Sequence, residues 1–243
     1  MDKKNHFELI DISRYKIISF DIFDTLLLWP FSNPQELWTV LEEREKLKGF
    51  SKARKKADAI TYERASKRGG EATIEEAYEQ MPRRFRLLMQ KEIDWERKVL
   101  RVNPEMLDIW HEAGKQGKLR VIVSDMYLPA SFIQSVLLEN GIKDWDVFFL
   151  SRDYDARKTT GKLFEAMLHT ENAKPNEVLH IGDNIHSDVN VPQSLGIHTQ
   201  YYPKVIDCFY EVCPFAKRIK GRLAGLLAVG WHQFKFEHPN YTY

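Results

Sequence analysis

The chain has 243 residues, 43% of them apolar, and a formal net charge of +1. This length allows one large domain or a core with an insertion, and the near-neutral charge gives no reason to expect a nucleic-acid partner. The mean hydropathy of −0.46, the two cysteines and the lack of an apolar stretch of ~20 residues exclude a membrane-embedded protein and a disulfide framework. We therefore expect a cytoplasmic protein with no transmembrane segment.

The first predicted element is a short buried strand that ends at a carboxylate. The apolar run from Ile17 to Phe20 is followed at once by Asp21, and then by Asp24 and Thr25. Open α/β sheets bind their ligands at the carboxyl ends of their strands. Asp21 is therefore the first candidate functional residue.

A helical insertion is predicted next, because the gap between Thr25 and Ser124 is too long for one crossover helix. A capping-box pattern at Thr73 and Glu76, and glycines at the ends of other segments, support this interpretation. A helix that begins at Asn103 leads into the second strand and so belongs to the core. The insertion is expected to hold four helices, over residues 33–49, 51–69, 73–82 and about 83–101.

Three further strands precede polar side chains, and a fifth strand is expected at 198–202. The second strand ends at Ser124, the third precedes Lys158, and the fourth runs into Gly182-Asp183, with Asp188 five residues beyond Asp183. In a parallel sheet these side chains meet at one edge. The pattern predicts a Rossmann-like α/β fold with helices on both faces of the sheet.

The four polar segments, in this order, resemble the motifs of the haloacid dehalogenase (HAD) superfamily over residues 15–203. The resemblance implies that Asp21 attacks phosphorus and becomes a transient aspartyl phosphate. Ser124 and Lys158 would then hold the phosphoryl oxygens. It also implies a Rossmann-like core at 1–29 and 105–203, an α-helical C1 cap at 30–104, and a C-terminal helical extension at 204–243.

A magnesium ion is the cofactor that this resemblance implies. Its ligands would be Asp21, the backbone carbonyl of Phe23 and Asp183, while Asp188 acts through water or orients the other groups. Carboxylate and carbonyl oxygens are the ligands that Mg²⁺ prefers. The implied substrate is a small phosphorylated molecule.

The chain departs from the family's phosphatase pattern at Phe23, where those enzymes carry a second Asp as general acid and base. Such proton transfer contributes about 100- to 10,000-fold in rate. Three interpretations are open. Asp24 takes over the proton transfer, the substrate or the cap supplies the proton, or the pocket binds a phosphorylated ligand without turnover.

Other chemistries within the family are less compatible with the sequence. Its haloacid dehalogenases also carry an aromatic residue where this chain has Phe23, but they work without magnesium and lack the Gly-Asp that stands here at Gly182-Asp183. Its phosphonate-cleaving members have small residues after the nucleophile and a Schiff-base lysine in the cap. Phosphomonoester hydrolysis is therefore the favoured function, with a non-catalytic binding module as the alternative.

The first and second motifs also resemble a HAD branch found beside or fused to glycosyltransferases of bacterial surface-polysaccharide systems. That resemblance implies a sugar or polyol phosphate as ligand, and a glycosyltransferase domain or partner. The C-terminal extension carries Lys217, Arg218, Lys220 and Arg222 beside an apolar segment. It is expected to form a helix that packs on the core, or one that docks a partner domain or an anionic membrane surface.

Overall fold

A five-stranded parallel sheet forms the centre of the computed structural model, which describes residues 11–31, 33, 35–219 and 222–238. The first strand is central, and the later strands are added on one side of it and then on the other, in the order β5-β4-β1-β6-β7. A separate antiparallel pair is formed by β2 and β3. The strands are β1 (Ile17–Phe20), β2 (Leu27–Leu28), β3 (Arg101–Val102), β4 (Leu119–Ser124), β5 (Val147–Leu150), β6 (Val178–Gly182) and β7 (His198–Tyr201).

The α/β fold that the sequence predicted is therefore confirmed, and the five predicted strands are the five strands of the sheet. Side chains on the two faces of the sheet enter two different apolar clusters. Ile18 and Phe20 belong to one cluster, whereas Ile17, Val121 and Val123 belong to the other. The alternation follows from the two-residue period of a strand. Both faces of β1, β4, β5 and β6 are largely buried, which explains why these strands are mostly apolar, whereas the edge strand β7 is polar and partly exposed.

Helices cover both faces of this sheet. Residues 185–190 form a short π-helical turn after β6, and the segment that contains Lys158 is a single 3₁₀ turn. The α-helices of this part of the chain are α5 (Pro104–Lys115), α6 (Ala130–Glu139), α7 (Ser151–Tyr154), α8 (Lys162–Thr170) and α9 (Val191–Ser194).

Four helices lie between β2 and β3, as the sequence predicted: α1 (Gln35–Arg44), α2 (Phe50–Arg68), α3 (Ile74–Glu79) and α4 (Met89–Val99). The capping box at Thr73 and Glu76 is present. The predicted fourth helix is shorter than expected, because residues 83–88 form a 3₁₀ helix and the backbone is extended at Leu100 before β3. Pro34 lies outside the described residues, and the division into a core and a cap at residues 30 and 105 stays a prediction.

A buried ion pair joins these four helices. The Nε atom of Arg54 lies 3.0 Å from Oε2 of Glu92, and both side chains are fully buried. Trp38 Nε1 and Tyr78 Oη also donate hydrogen bonds to the Glu92 carboxylate, at 3.1 and 2.7 Å. A buried charge is tolerated where it is paired and hydrogen-bonded in this way.

Two helices, α10 (Val205–Val212) and α11 (Arg222–Glu237), follow the last strand. At Gly225, α11 lies so close to the segment after β2 that an added Cβ would be 2.5 Å from the backbone of Pro30. His232 is hydrogen-bonded to Asn103 at 3.0 Å. The extension therefore packs against the rest of the protein, although Lys220 and the side chain of Arg222 lie outside the described parts. Within the described residues, no helix combines the length and apolar character needed to cross a membrane.

Candidate active site

The predicted site residues meet at the carboxyl end of the sheet. Asp21 follows β1, Ser124 ends β4, and Asp183 follows β6. The backbone N–H of Asp21 donates to the Ile181 carbonyl at 2.9 Å, so Asp21 is still fixed by the sheet. The strand order reverses between β1 and β6, and such a switch point is where open α/β sheets bind ligands.

Lys158 is the central cation of the site. Its Nζ lies 2.6 Å from Oδ1 of Asp21 and 2.6 Å from Oδ1 of Asp188. Ser124 Oγ donates to Oδ1 of Asp21 at 2.9 Å, and the backbone N–H of Lys158 donates to Oδ1 of Asp125 at 2.8 Å. The structure therefore brings together residues that lie far apart in the sequence.

Asp188 is held firmly at both of its carboxylate oxygens. Its Oδ2 accepts the Asn184 backbone N–H at 2.9 Å, and its Oδ1 contacts His180 Nε2 at 3.1 Å. The other ring nitrogen of His180 is hydrogen-bonded to Ser19 Oγ at 2.6 Å. A Cβ at Gly182 would lie 2.5 Å from the Asp188 carboxyl carbon, so only glycine leaves room for this carboxylate.

Asp24 lies on the other side of the site, with a left-handed backbone conformation (φ 54°). The Lys204 Nζ is 3.0 Å from Oδ2 of Asp24 and 3.3 Å from Oδ2 of Asp183. The Trp29 backbone N–H also donates to the Asp24 carboxylate. Phe23 points its ring at Trp29, with 5.1 Å between the ring centroids. Asp24 is thus linked to the carboxylate cluster through a lysine.

The protonation of this cluster differs from one carboxyl to the next. Burial and the nearby charge of Asp21 raise the pKa of Asp183 to about 7, although Lys204 opposes this. Burial also raises the pKa of Asp21, against the opposing effect of Lys158. Burial acts on Asp188 in the same direction, but Lys158 and His180 outweigh it and hold the pKa of Asp188 well below its usual range.

The carboxylate cluster has the chemistry of a magnesium site. Asp21, Asp183 and Asp188 each offer an oxygen, and these oxygens lie within 4.8 Å of one another. A set of carboxylate oxygens suits Mg²⁺, which binds through one or two carboxylates and keeps several waters. Because Asp188 already accepts hydrogen bonds at both oxygens, Asp21 and Asp183 have the greater capacity to ligate a cation directly. The Phe23 carbonyl stays a predicted ligand.

We expect the affinity for Mg²⁺ to depend on pH through Asp183. Below its pKa of about 7, this carboxyl is protonated in the metal-free protein, so Mg²⁺ has to displace the proton. The affinity should fall by up to about tenfold for each pH unit below that value and level off above it. Isothermal titration calorimetry between about pH 5.5 and about pH 8.5 measures this dependence. A pH-independent affinity would contradict it, and Asp183→Asn is the control that should lose the site.

Three residues of the site were not predicted from the sequence. Asp125 orients Lys158, His180 binds Asp188, and Lys204 contacts Asp24 and Asp183. Asp125 directly follows the candidate Ser124, and His180 is a polar residue inside an apolar strand, so both positions offered a clue. Lys204 offered none.

A cavity of about 550 Å³ opens within the inserted segment, and among the described residues Tyr127 is its one lining residue from outside residues 33–72. Trp38, Tyr62 and Tyr127 supply aromatic surface, and Glu71 supplies a carboxylate. Glu71 also pairs with Arg157 at 3.2 Å, which places this side of the cavity next to the segment of Lys158. A cavity with aromatic walls and a few polar groups is typical of small-molecule sites.

Comparison with solved structures identifies the fold. The sequence matches no protein-family model, and it matches no curated protein. Similar structures include a haloacid dehalogenase-like hydrolase from Bacteroides fragilis, with 21% identity, a TM-score of 0.52 and coverage of 77% of this chain and 87% of that chain. L-2-haloacid dehalogenase from Xanthobacter autotrophicus, with chloropropionic acid covalently bound, has 17% identity, a TM-score of 0.55 and 77% coverage of each chain.

A third similar structure is the HAD-hydrolase YfnB from Bacillus subtilis, which was determined with bound magnesium. It has 19% identity and a TM-score of 0.53, and the match covers 77% of this chain and 86% of that chain. The structural neighbours are thus HAD-like hydrolases, some of them named as dehalogenases and one with magnesium. The chain has the fold of the HAD-like hydrolases, as the four motifs predicted.

Proposed function

We propose that the protein is a magnesium-dependent phosphomonoester hydrolase that acts through an aspartyl phosphate at Asp21. The observation that carries this proposal is the contact of Lys158 and Ser124 with one oxygen of Asp21, beside two further carboxylates. A nucleophilic carboxylate, a cation and a hydroxyl at one sheet edge are the groups that phosphoryl transfer requires.

In the first step, a carboxylate oxygen of Asp21 attacks phosphorus, and the bond between phosphorus and the leaving oxygen breaks. Lys158 and Ser124 hold the phosphoryl oxygens while their charge redistributes. Water then attacks the phosphorus of the aspartyl phosphate, the bond between phosphorus and the Asp21 oxygen breaks, and the proton of the water passes to the group that protonated the leaving oxygen, which frees Asp21 and releases inorganic phosphate. A magnesium ion at Asp21 and Asp183 would neutralise the repulsion between the nucleophile and the phosphate dianion.

Asp24 is the group proposed to protonate the leaving oxygen. Phe23 has no titratable group, and Asp24 is the next carboxyl in the same loop. Burial raises the pKa of Asp24 from its usual value, while Lys204 opposes the shift. The direction of this pKa shift favours the protonated carboxyl that a general acid needs, and the nearby ammonium of Lys204 works against it. Proton donation by the substrate or by the cap is the alternative.

A sugar or polyol phosphate is the substrate class that we propose. The 550 Å³ cavity combines aromatic walls with the polar side chains of Asn33, Lys55 and Asp58, and hydroxyl-rich molecules bind by stacking and by hydrogen bonds to such groups. A cytoplasmic location and a glycosyltransferase domain or partner belong to the same proposal. The glycosyltransferase link rests on the resemblance of the first two motifs alone.

Dehalogenation is a second candidate function, because two observations favour it. Phe23 puts an aromatic residue two places after the nucleophile, and the similar structures include L-2-haloacid dehalogenases. Halide leaves without a proton, so that reaction needs no acid at this position. The buried Asp183 beside Asp21 weighs against it, since a third carboxylate assists cation binding and not halide release.

A screen of phosphorylated metabolites with Mg²⁺ or with EDTA tests the proposal. We expect phosphate release from sugar or polyol phosphates that depends on Mg²⁺, and no chloride release from 2-chloropropionate. Chloride release that persists in EDTA would favour the dehalogenase. Tight binding of a phosphorylated ligand without turnover would favour the binding module.

A further inference from the structure

Lys204 is the one cation of the C-terminal extension that reaches the carboxylate cluster in the described part of the chain. It precedes α10, just beyond the last strand. Its Nζ bridges Asp24 at 3.0 Å and Asp183 at 3.3 Å, while its side chain stays 44% exposed. The lysine is thus anchored at the site but has a path to solvent.

The charges around Lys204 suggest what it does there. Lys158 is shared by Asp21 and Asp188, so Asp183 has Lys204 as its nearest cation among the described ion pairs. An ammonium 3.3 Å from Oδ2 of Asp183 occupies space beside a carboxylate that also belongs to the candidate magnesium cluster. Mg²⁺ binds carboxylate oxygens at about 2.0–2.1 Å and keeps its waters. The two cations would therefore repel each other at short range.

We propose that Lys204 is a built-in counter-ion of Asp183 that competes with magnesium for this carboxylate. This inference rests on the magnesium site of the proposed function. In the metal-free protein Lys204 is shared between the carboxyl groups of Asp183 and Asp24. When Mg²⁺ binds, the ammonium leaves Asp183 and keeps its contact with Asp24 or turns to solvent. Lys204 thereby lowers the affinity for magnesium and links the candidate acid to the occupation of the metal site.

Titration calorimetry with Mg²⁺ alone, without substrate, tests this inference on the full chain at about pH 9, because the loss of Lys204 raises the pKa of Asp183 and proton competition would otherwise mask the effect. Lys204→Met retains much of the side-chain length and removes the charge, so it should bind Mg²⁺ about tenfold more tightly than the parent protein. Lys204→Arg retains the charge and should stay close to the parent. The exposed lysine Lys162 on α8 gives a matched control, since Lys162→Met changes the net charge equally and should alter the affinity by less than about twofold.

Thermal unfolding supplies a second measurement, which does not depend on catalytic activity. In EDTA, Lys204→Met should unfold at a lower temperature than the parent, because Asp183 and Asp24 lose their counter-ion. Saturating Mg²⁺ should then stabilise this variant more than it stabilises the parent. Equal Mg²⁺-induced shifts in the two proteins would contradict competition.

The outcomes also separate this inference from the proposed function. If the parent binds Mg²⁺ and Lys204→Met binds it equally or more weakly, competition is wrong and the metal site stands. If neither protein binds Mg²⁺, the metal site and the role of Lys204 are both wrong. Tighter binding by Lys204→Met that Asp183→Asn abolishes would support both.

Discussion

Replacing Asp21 with Asn is expected to lower phosphatase activity by at least about 10,000-fold, because an amide cannot form the covalent intermediate. The fold should survive the change. The side-chain carbonyl oxygen of the new amide can still accept hydrogen bonds from Ser124 and Lys158, which now contact Oδ1 of Asp21. Burial already raises the pKa of Asp21, so loss of its charge should not destabilise the metal-free protein.

The decisive measurement pairs steady-state phosphate release with mass spectrometry of rapidly quenched enzyme. The parent protein should carry one added phosphoryl group on the peptide that contains Asp21, and the variant should carry none. Asp153→Asn is a suitable control because this carboxylate is half-exposed on α7 and should leave the rate unchanged. Equal rates for the Asp21 variant and the parent would show that the nucleophile is misassigned or that the activity belongs to a contaminant.

The sheet and most of the candidate site could be predicted from the sequence because their signals are local. Four of the five strands of the sheet are short, largely apolar runs, and the functional residues Asp21, Ser124 and Asp183 stand at or just beyond the strand ends. Parallel strands bring those ends to one edge whatever the loops between them do. The positions of these side chains in the sequence are therefore enough to predict that they meet, without any distance being known.

The contacts that the sequence could not predict depend on long-range packing. Lys204 reaches Asp24 across 180 residues of chain, and no pattern of residue types distinguishes it from an exposed lysine. Arg54 and Glu92 form a fully buried pair among the inserted helices, whereas charged residues on helices are most often solvated. The extended backbone at Leu100 is a further case, because the pairing of β3 with β2 ends the helix there.

Asp24→Asn is expected to slow the hydrolysis of alkyl phosphates by at least about 100-fold. The amide can still accept the Trp29 N–H, so the loop should keep its conformation. An aryl phosphate needs little protonation of its leaving group, and its first step should be slowed much less. The measurement is kcat/KM for one alkyl and one aryl phosphate, together with thermal unfolding of the parent and the variant.

A loss that is equal for both substrates would contradict the role of Asp24 as the acid. Its contact with Lys204 offers the alternative explanation, since Asp24 would then act by holding this cation near Asp183. In that case Asp24→Asn should change the affinity for Mg²⁺ as well as the rate. An unchanged Mg²⁺ affinity with a selective loss on alkyl phosphates would support proton transfer.

If the parent protein binds a phosphorylated ligand but hydrolyses no alkyl phosphate, the missing acid can be tested at Phe23 itself. Phe23→Asp places a carboxyl where the family's phosphatases have one, but it also removes the ring that contacts Trp29 at 5.1 Å. Phe23→Asn removes the same ring without adding an acid, so it is the matched control. A gain in alkyl phosphate hydrolysis with Asp and not with Asn would show a catalytic scaffold that lacks only its proton donor. No gain with either substitution, while a phosphorylated ligand still binds, would favour a binding module over an enzyme.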